Sequence, residues 1–241
     1  NLDLAKSLIE FGADVHAAED DGYNALCRAT QMDDLDMARF LLDNGSKVDY
    51  TRPDGRQPLH DACSWGRQNL IEKLVEKGAS VDYLDEDKMP PIAVAAEWGI
   101  IRAVKQMIPL CSKETDINHQ DDYGNTALQF SAWSSNSRVA QLLLLRFPDI
   151  NRTDNDKITA LADAARRGAK EMIDLLLAHG ADPTISSGTY GTVLNATCEI
   201  SDTDVFEKIL SLPGVSRDTS DDLGRLPLHL VAARNSDEVR L

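Results

Sequence analysis

"GRQPLHDACSWGRQNLIEKLVEKGASVDY", residues 55–83, contains a complete structural unit. Pro58 suits a first helical turn, where no N–H partner is lost. The pair Ala62–Cys63 is small, which lets neighbouring helices approach closely. Gly66 supplies a left-handed stop. "NLIEKLVEKG" then carries apolar residues at helical spacing and closes on Gly78. An extended "VDY" leads out. The same stretch packs His60, Asp61, Cys63 and Ser64 into five positions. Hydrolases build nucleophile, base and orienting acid from such side chains.

The unit recurs. Anchors at Gly22, Gly55, Lys88, Gly124, Lys157, Tyr190 and Gly224 are spaced by 33, 33, 36, 33, 33 and 34 residues. Two to five positions after them stand NALC, QPLH, PPIA, TALQ, TALA, TVLN and LPLH, with Leu or Ile always third. The first member falls where a helix N-cap is wanted. Eleven positions after the anchors come Asp33, Gly66, Gly99, Ser135, Gly168, Ser201 and Asn235, residues suited to a left-handed cap. A second amphipathic helix follows, as in "LDMARFLLDNG" and "KEMIDLLLAHG". Such a period marks a solenoid of stacked helix pairs.

On these residues the chain resembles the ankyrin family, from end to end. "YGTVLNATC" (190–198) is similar to a variant of long fungal ankyrin arrays. The resemblance implies an all-α solenoid of stacked helix-turn-helix units with β-turn fingers on one side. We expect one repeat domain over 1–241. It comprises a partial repeat at 1–18, repeats near 19–51, 52–84, 85–120, 121–153, 154–186 and 187–220, and an incomplete repeat at 221–241. Neither end shows a polar capping repeat, so the expected context is a longer intracellular protein, with the segment monomeric when isolated. Repeat three carries three extra residues in "IPLCSKETDINHQ" (108–120), where Cys111 holds the place of the helix-ending Gly. A longer edge loop is expected there.

Composition bounds the function. A net charge of −15 argues against nucleic acid, which attracts a positive field. It favours a protein partner with a basic surface. The longest strongly apolar run, Leu142 to Leu145, is far too short for membrane insertion. Four scattered cysteines (Cys27, Cys63, Cys111 and Cys198) fit neither a disulfide framework nor a zinc site. "DNDK" (154–157) lacks the Gly and the Glu of a calcium loop. No nucleotide or hydrolase motif is present. Neither a metal nor a cofactor is expected, and no catalytic residue.

His60 and Cys63 of the opening stretch have structural readings, Asp61 and Ser64 lose their catalytic case with them, and Ser64 sits at a variable position of the inner helix. Cys63, and Cys198 in repeat six, take the small-residue slot of an inner helix. Asp61 follows His60 immediately, and such neighbours do not face each other on a helix. The resemblance implies that His60 and His229 tie neighbouring turns together. It also implies that partners meet the finger tips and the inner-helix surface of a concave groove. Ten positions after the anchors stand Met32, Trp65, Trp98 and Arg167, with Trp133 one place earlier in its repeat. Large aromatics on a groove suit hot spots. On the fingers the candidates are Tyr23, Arg56, Asp87 and Tyr123, among many acidic residues. Arg166–Arg167, Arg225 and Arg234 make the C-terminal third locally basic. The reading is a protein-interaction module, not an enzyme. The alternative is a spacer or autoinhibitory brace packing on another domain of the same polypeptide.

Overall fold

The computed structural model describes residues 1–111, 117–186, 190–200 and 202–237, with side chains up to residue 233. The extra residues of repeat three fall largely at 112–116, outside the described residues, as do Ser201, the side chains of Arg234 and Asn235, and the end of the chain.

The contacts divide the chain into two compact units, Asn1–Asp116 and Ile117–Leu241. The first holds α1 (Leu2–Glu10) and three helix pairs: α2 (Ala25–Gln31) with α3 (Leu35–Asp43), α4 (Pro58–Ser64) with α5 (Gln68–Glu76), and α6 (Pro91–Glu97) with α7 (Ile101–Met107). The second holds α8 (Ala127–Trp133) with α9 (Ser137–Leu144), α10 (Ala160–Arg166) with α11 (Lys170–Ala178), α12 (Val193–Thr197) with α13 (Thr203–Leu210), and then α14 (Pro227–Asp237). Among the described residues there is no strand, only isolated bridges Ala18–Asn24 and Thr153–Thr159 closing two fingers. Within each unit every inner helix packs on the next, α2 on α4 on α6 and α8 on α10 on α12, and outer helices also touch, α3 on α5 on α7 and α9 on α11.

The periodic Leu or Ile explains the stacking. Leu26, Leu59, Ile92, Leu128, Leu161 and Leu194 are all buried. Each such burial is worth about 1.5–3 kcal/mol. The small pairs Ala62–Cys63, Ala95–Ala96 and Ala164–Ala165 lie fully inside, where larger side chains would push the inner helices apart. In repeat seven Leu228 breaks the pattern and is exposed, because α14 has α12 on one flank and no described helix on the other. An apolar cavity of about 570 Å³ opens there, between Leu194, Phe206, Leu210, Pro227, Leu228 and Val231.

The helix ends follow their caps. Asn24, Thr126 and Thr159 accept the backbone N–H of Cys27, Gln129 and Ala162. Left-handed stops stand at Asp33, Gly66, Gly99, Ser135 and Gly168. The finger turns are left-handed at Gly22, Gly55, Lys88, Gly124, Lys157 and Gly224. In repeat six that residue is Gly191, one place after the expected anchor Tyr190, so the finger is one residue tighter before Thr192. At Gly55 an added Cβ would lie 2.4 Å from the Glu86 backbone nitrogen. Glycine there serves conformation and lets the next finger pass close by.

Candidate protein-interaction surface

The side chains of 60–64 diverge. Burial pushes the His60 imidazole down to about 4, so it is neutral. Its Nδ1 accepts the Gln57 N–H at 3.2 Å, which leaves Nε2–H to donate to the Tyr83 and Met89 carbonyls at 3.1 and 3.2 Å. It thereby ties repeat two to the finger of repeat three. Burial drives the Cys63 thiol far up, away from nucleophilic thiolate. The Cys27 and Cys198 thiols rise to about 12 and about 11 for the same reason. Ser64 Oγ donates to the Asp61 carbonyl, and Asp61 accepts from Arg52. No nucleophile–base pair forms among these four.

The tie made by His60 recurs with other chemistry. At the same register Gln129 accepts the Thr126 N–H and donates to the Ile158 carbonyl at 2.9 Å. Asn195 donates to the Thr219 carbonyl at 3.1 Å. Cys27, Ala93 and Ala162 hold that position in repeats one, three and five. His229 accepts the Leu226 N–H but is exposed, and among the described residues its other nitrogen has no partner.

The three tryptophans share one setting. Trp65 and Trp98 are the residues that follow α4 and α6, and Trp133 is the last of α8. They are 55%, 62% and 51% exposed. In the first unit Met32, after α2, lies 73% exposed in the same register. Since α2, α4 and α6 pack side by side, Met32, Trp65 and Trp98 occupy consecutive steps of one row. In the second unit the Arg167 guanidinium stacks over Trp133, 4.5 Å from the ring centre. Cation–π contact holds both side chains flat against each other.

The finger residues behave differently. Tyr23 is half-buried between the Arg28 and Arg52 guanidinium groups, 4.2 and 4.1 Å from its ring centre. Arg56 Nε donates to buried Asp85 at 3.2 Å, joining two fingers. Asp87 and Tyr123 are exposed. Much of the acidity is structural. Asp85, Asp121, Asp154 and Asp221 each accept backbone N–H groups of their own turn. Arg225 pairs with Asp221, and Arg28 with Glu19 and Asp21.

Two corners between finger and inner helix carry charges that sequence reading overlooked. In repeat two Arg52 Nη2 lies 3.0 Å from both Asp61 and Asp54. Arg52 and Asp61 are both buried. In repeat five the matching positions hold Asp154, Asp156 and Asp163. Burial pushes the Asp163 carboxyl up to about 6, with Arg166 pulling it down and Asp154 raising it. The signal was available in the register: six places after the anchor both repeats carry Asp, whereas three places before it one has Arg and the other Asp. Among the described residues no group of His, Cys, Asp and Glu forms a metal site, and no helix is long and apolar enough to cross a membrane.

A model of three ankyrin repeats matches residues 1–87 and again 92–187. The chain is similar to the ankyrin repeat domain-containing protein SAT10 of Stachybotrys chartarum, 39% identical over 79 residues. That match covers 33% of this chain and 4% of the relative, so it spans a small part of a much longer protein. The fold and the site surface define a helical repeat solenoid with fingers. The chain belongs to the ankyrin repeat family. Ankyrin repeats are generally non-catalytic protein-interaction modules.

Proposed function

We propose that this array recognises a protein partner across its inner-helix row and fingers, as part of a longer intracellular protein, with the seven repeats acting as one recognition domain in the phase given above. The observation that carries the reading is the tryptophan set. All three tryptophans of the chain end an inner helix and remain at least half exposed. Tryptophan left in water at the end of three successive inner helices is uncommon unless something covers it. Met32, Trp65, Trp98 and Trp133 are the apolar anchors, and Arg167 positions Trp133. Asp87 and Tyr123 stand free at the fingers, whereas Tyr23 and Arg56 shape them through Arg52 and Asp85. The net charge of −15 favours a partner with basic residues.

The test is the triple variant Trp65→Ala, Trp98→Ala and Trp133→Ala. Partners captured from source-cell extract by the parent protein are identified, and their direct binding to both forms is titrated. With the helical circular dichroism unchanged, affinity for a true partner drops at least 100-fold, since each hot-spot truncation costs about 2 kcal/mol or more. Equal affinity in a folded variant sinks the reading.

A further inference from the structure

In repeat two the corner between finger and inner helix is closed by its own cation. The Arg52 guanidinium lies 3.0 Å from Asp61 and from Asp54 and 4.1 Å from the Tyr23 ring centre. Repeat five repeats the backbone of that corner. Asp154 N donates to the Ile158 carbonyl as Arg52 N does to that of Arg56, and Lys157 N donates to the Asp154 carbonyl as Gly55 N does to that of Arg52. The side chains differ. Asp154 stands at the arginine position, Asp156 at that of Asp54, Asp163 at that of Asp61, and Asn125 at that of Tyr23.

Asp163 is therefore left with no cation of its own. It is 7% exposed, and among the described residues no hydrogen bond or ion pair reaches its carboxylate, on which Arg166 and Arg167 act only at longer range. Its oxygens nonetheless are not sealed from solvent. Arg166 and Arg167 are the nearby cations, and both are committed elsewhere. Arg166 donates to the Tyr190 hydroxyl at 2.6 Å and stacks on its ring, and Arg167 stacks on Trp133. A buried carboxylate without a partner is costly, and an arriving cation that leaves water to meet it recovers that cost.

We propose that the Asp154–Asp156–Asp163 corner of repeat five is a receptor for an arginine side chain of the partner protein, which lodges as Arg52 lodges in repeat two. This inference rests on the interaction-module reading and names the chemistry of one contact. A planar guanidinium fits because the same backbone already holds one, and its fork serves two carboxylates at once. A metal ion is not favoured, since these carboxylates do not form a ligand group. Free arginine is disfavoured, because it brings a carboxylate of its own to a corner that already holds three acids.

The full chain, labelled with ¹³C at the aspartate carboxyl carbons, is titrated with acetyl-Gly-Arg-Gly-amide, with its citrulline counterpart and with free L-arginine. Asp163→Asn assigns the signal. We expect the arginine peptide to shift the Asp163 resonance with half-saturation on the order of 10 mM, a value set by one small contact. Citrulline, of the same shape without the charge, leaves it in place, and free arginine binds several-fold more weakly. Asp154→Arg installs the repeat-two arrangement. It moves the Asp163 signal without peptide and abolishes the response. A silent Asp163, an equal response to citrulline, or tighter binding of free arginine overturns the proposal. The tryptophan triple variant keeps the peptide response if this site is real, so loss of partner capture and loss of the arginine site are read separately.

Discussion

The corners of repeats two and five share a backbone and oppose each other in charge. In one, a buried carboxylate meets a buried guanidinium. In the other, an equally placed carboxylate has Asp154 near it where the first has an arginine. The same backbone hydrogen bonds run through both fingers, with a side-chain cap from Asp54 in one and from Asp154 in the other, so the charge at the corner varies without changing the turn. The ion pair is thus a local choice and not a requirement of the fold. Where it is present, however, the corner depends on both partners, and burial raises the Asp61 and Asp163 carboxyls alike to about 6.

The largest expected effect breaks the closed corner. Arg52→Met strands Asp61 in a buried site and removes a stacking partner of Tyr23. We expect unfolding to become easier by about 3–5 kcal/mol in urea titrations at neutral pH. The double variant Arg52→Met with Asp61→Leu, which leaves no stranded charge, recovers most of that loss. A double variant as unstable as the single one would show that Asp61 matters through something other than its charge.

A smaller effect, of opposite sign, sharpens the contrast at the open corner. The Asp163 carboxyl sits at about 6 when folded, against an ordinary 3.8. A raised folded value means that the native state holds the proton more tightly. Nothing is lost below about pH 4; the penalty builds between about pH 4 and 6 and is complete above that. Asp163→Asn is therefore stabilising at pH 7, by about 1–3 kcal/mol, and neutral at pH 4. Urea midpoints at the two pH values measure the difference. A gain that persists unchanged at pH 4 would rule out the charge as its cause.

The smallest effect lies at the finger surface. Asp87→Asn and Tyr123→Ala change exposed side chains, so stability stays within about 0.5 kcal/mol of the parent. Partner affinity is the quantity they would change. A larger stability loss at either would reassign it from contact to packing.

The sequence displayed the fold because its signals are periodic. Leu59 and Leu161 sit in equivalent slots, and a repeated slot is visible without coordinates. The left-handed stops at Gly66 and Gly168 were legible for the same reason. The exposed row of Trp65 and Trp98 also followed from register. What stayed hidden depends on contacts across repeats. Tyr23 looks like a finger-tip ligand until Arg28 and Arg52 close on both its faces. Arg56 looks free until buried Asp85 appears beside it. The exposure of Leu228 and the tighter turn at Gly191 likewise arise where periodicity stops guiding the chain. The Asp163 corner was missed because neither Asp nor its register is unusual alone; only the missing cation is.

The polar ties have a consequence for how the array comes apart. His60, Gln129 and Asn195 clasp repeats two to three, four to five and six to seven, while Ala162 leaves the seam between repeats five and six without that clasp. Linear arrays unravel at their weakest interfaces. The seam at Ala162 is crossed instead by Arg166 on Tyr190 and by the exposed Lys170 ion pairs to Asp202 and Asp204, so added salt loosens it more than the seams that His60, Gln129 and Asn195 close.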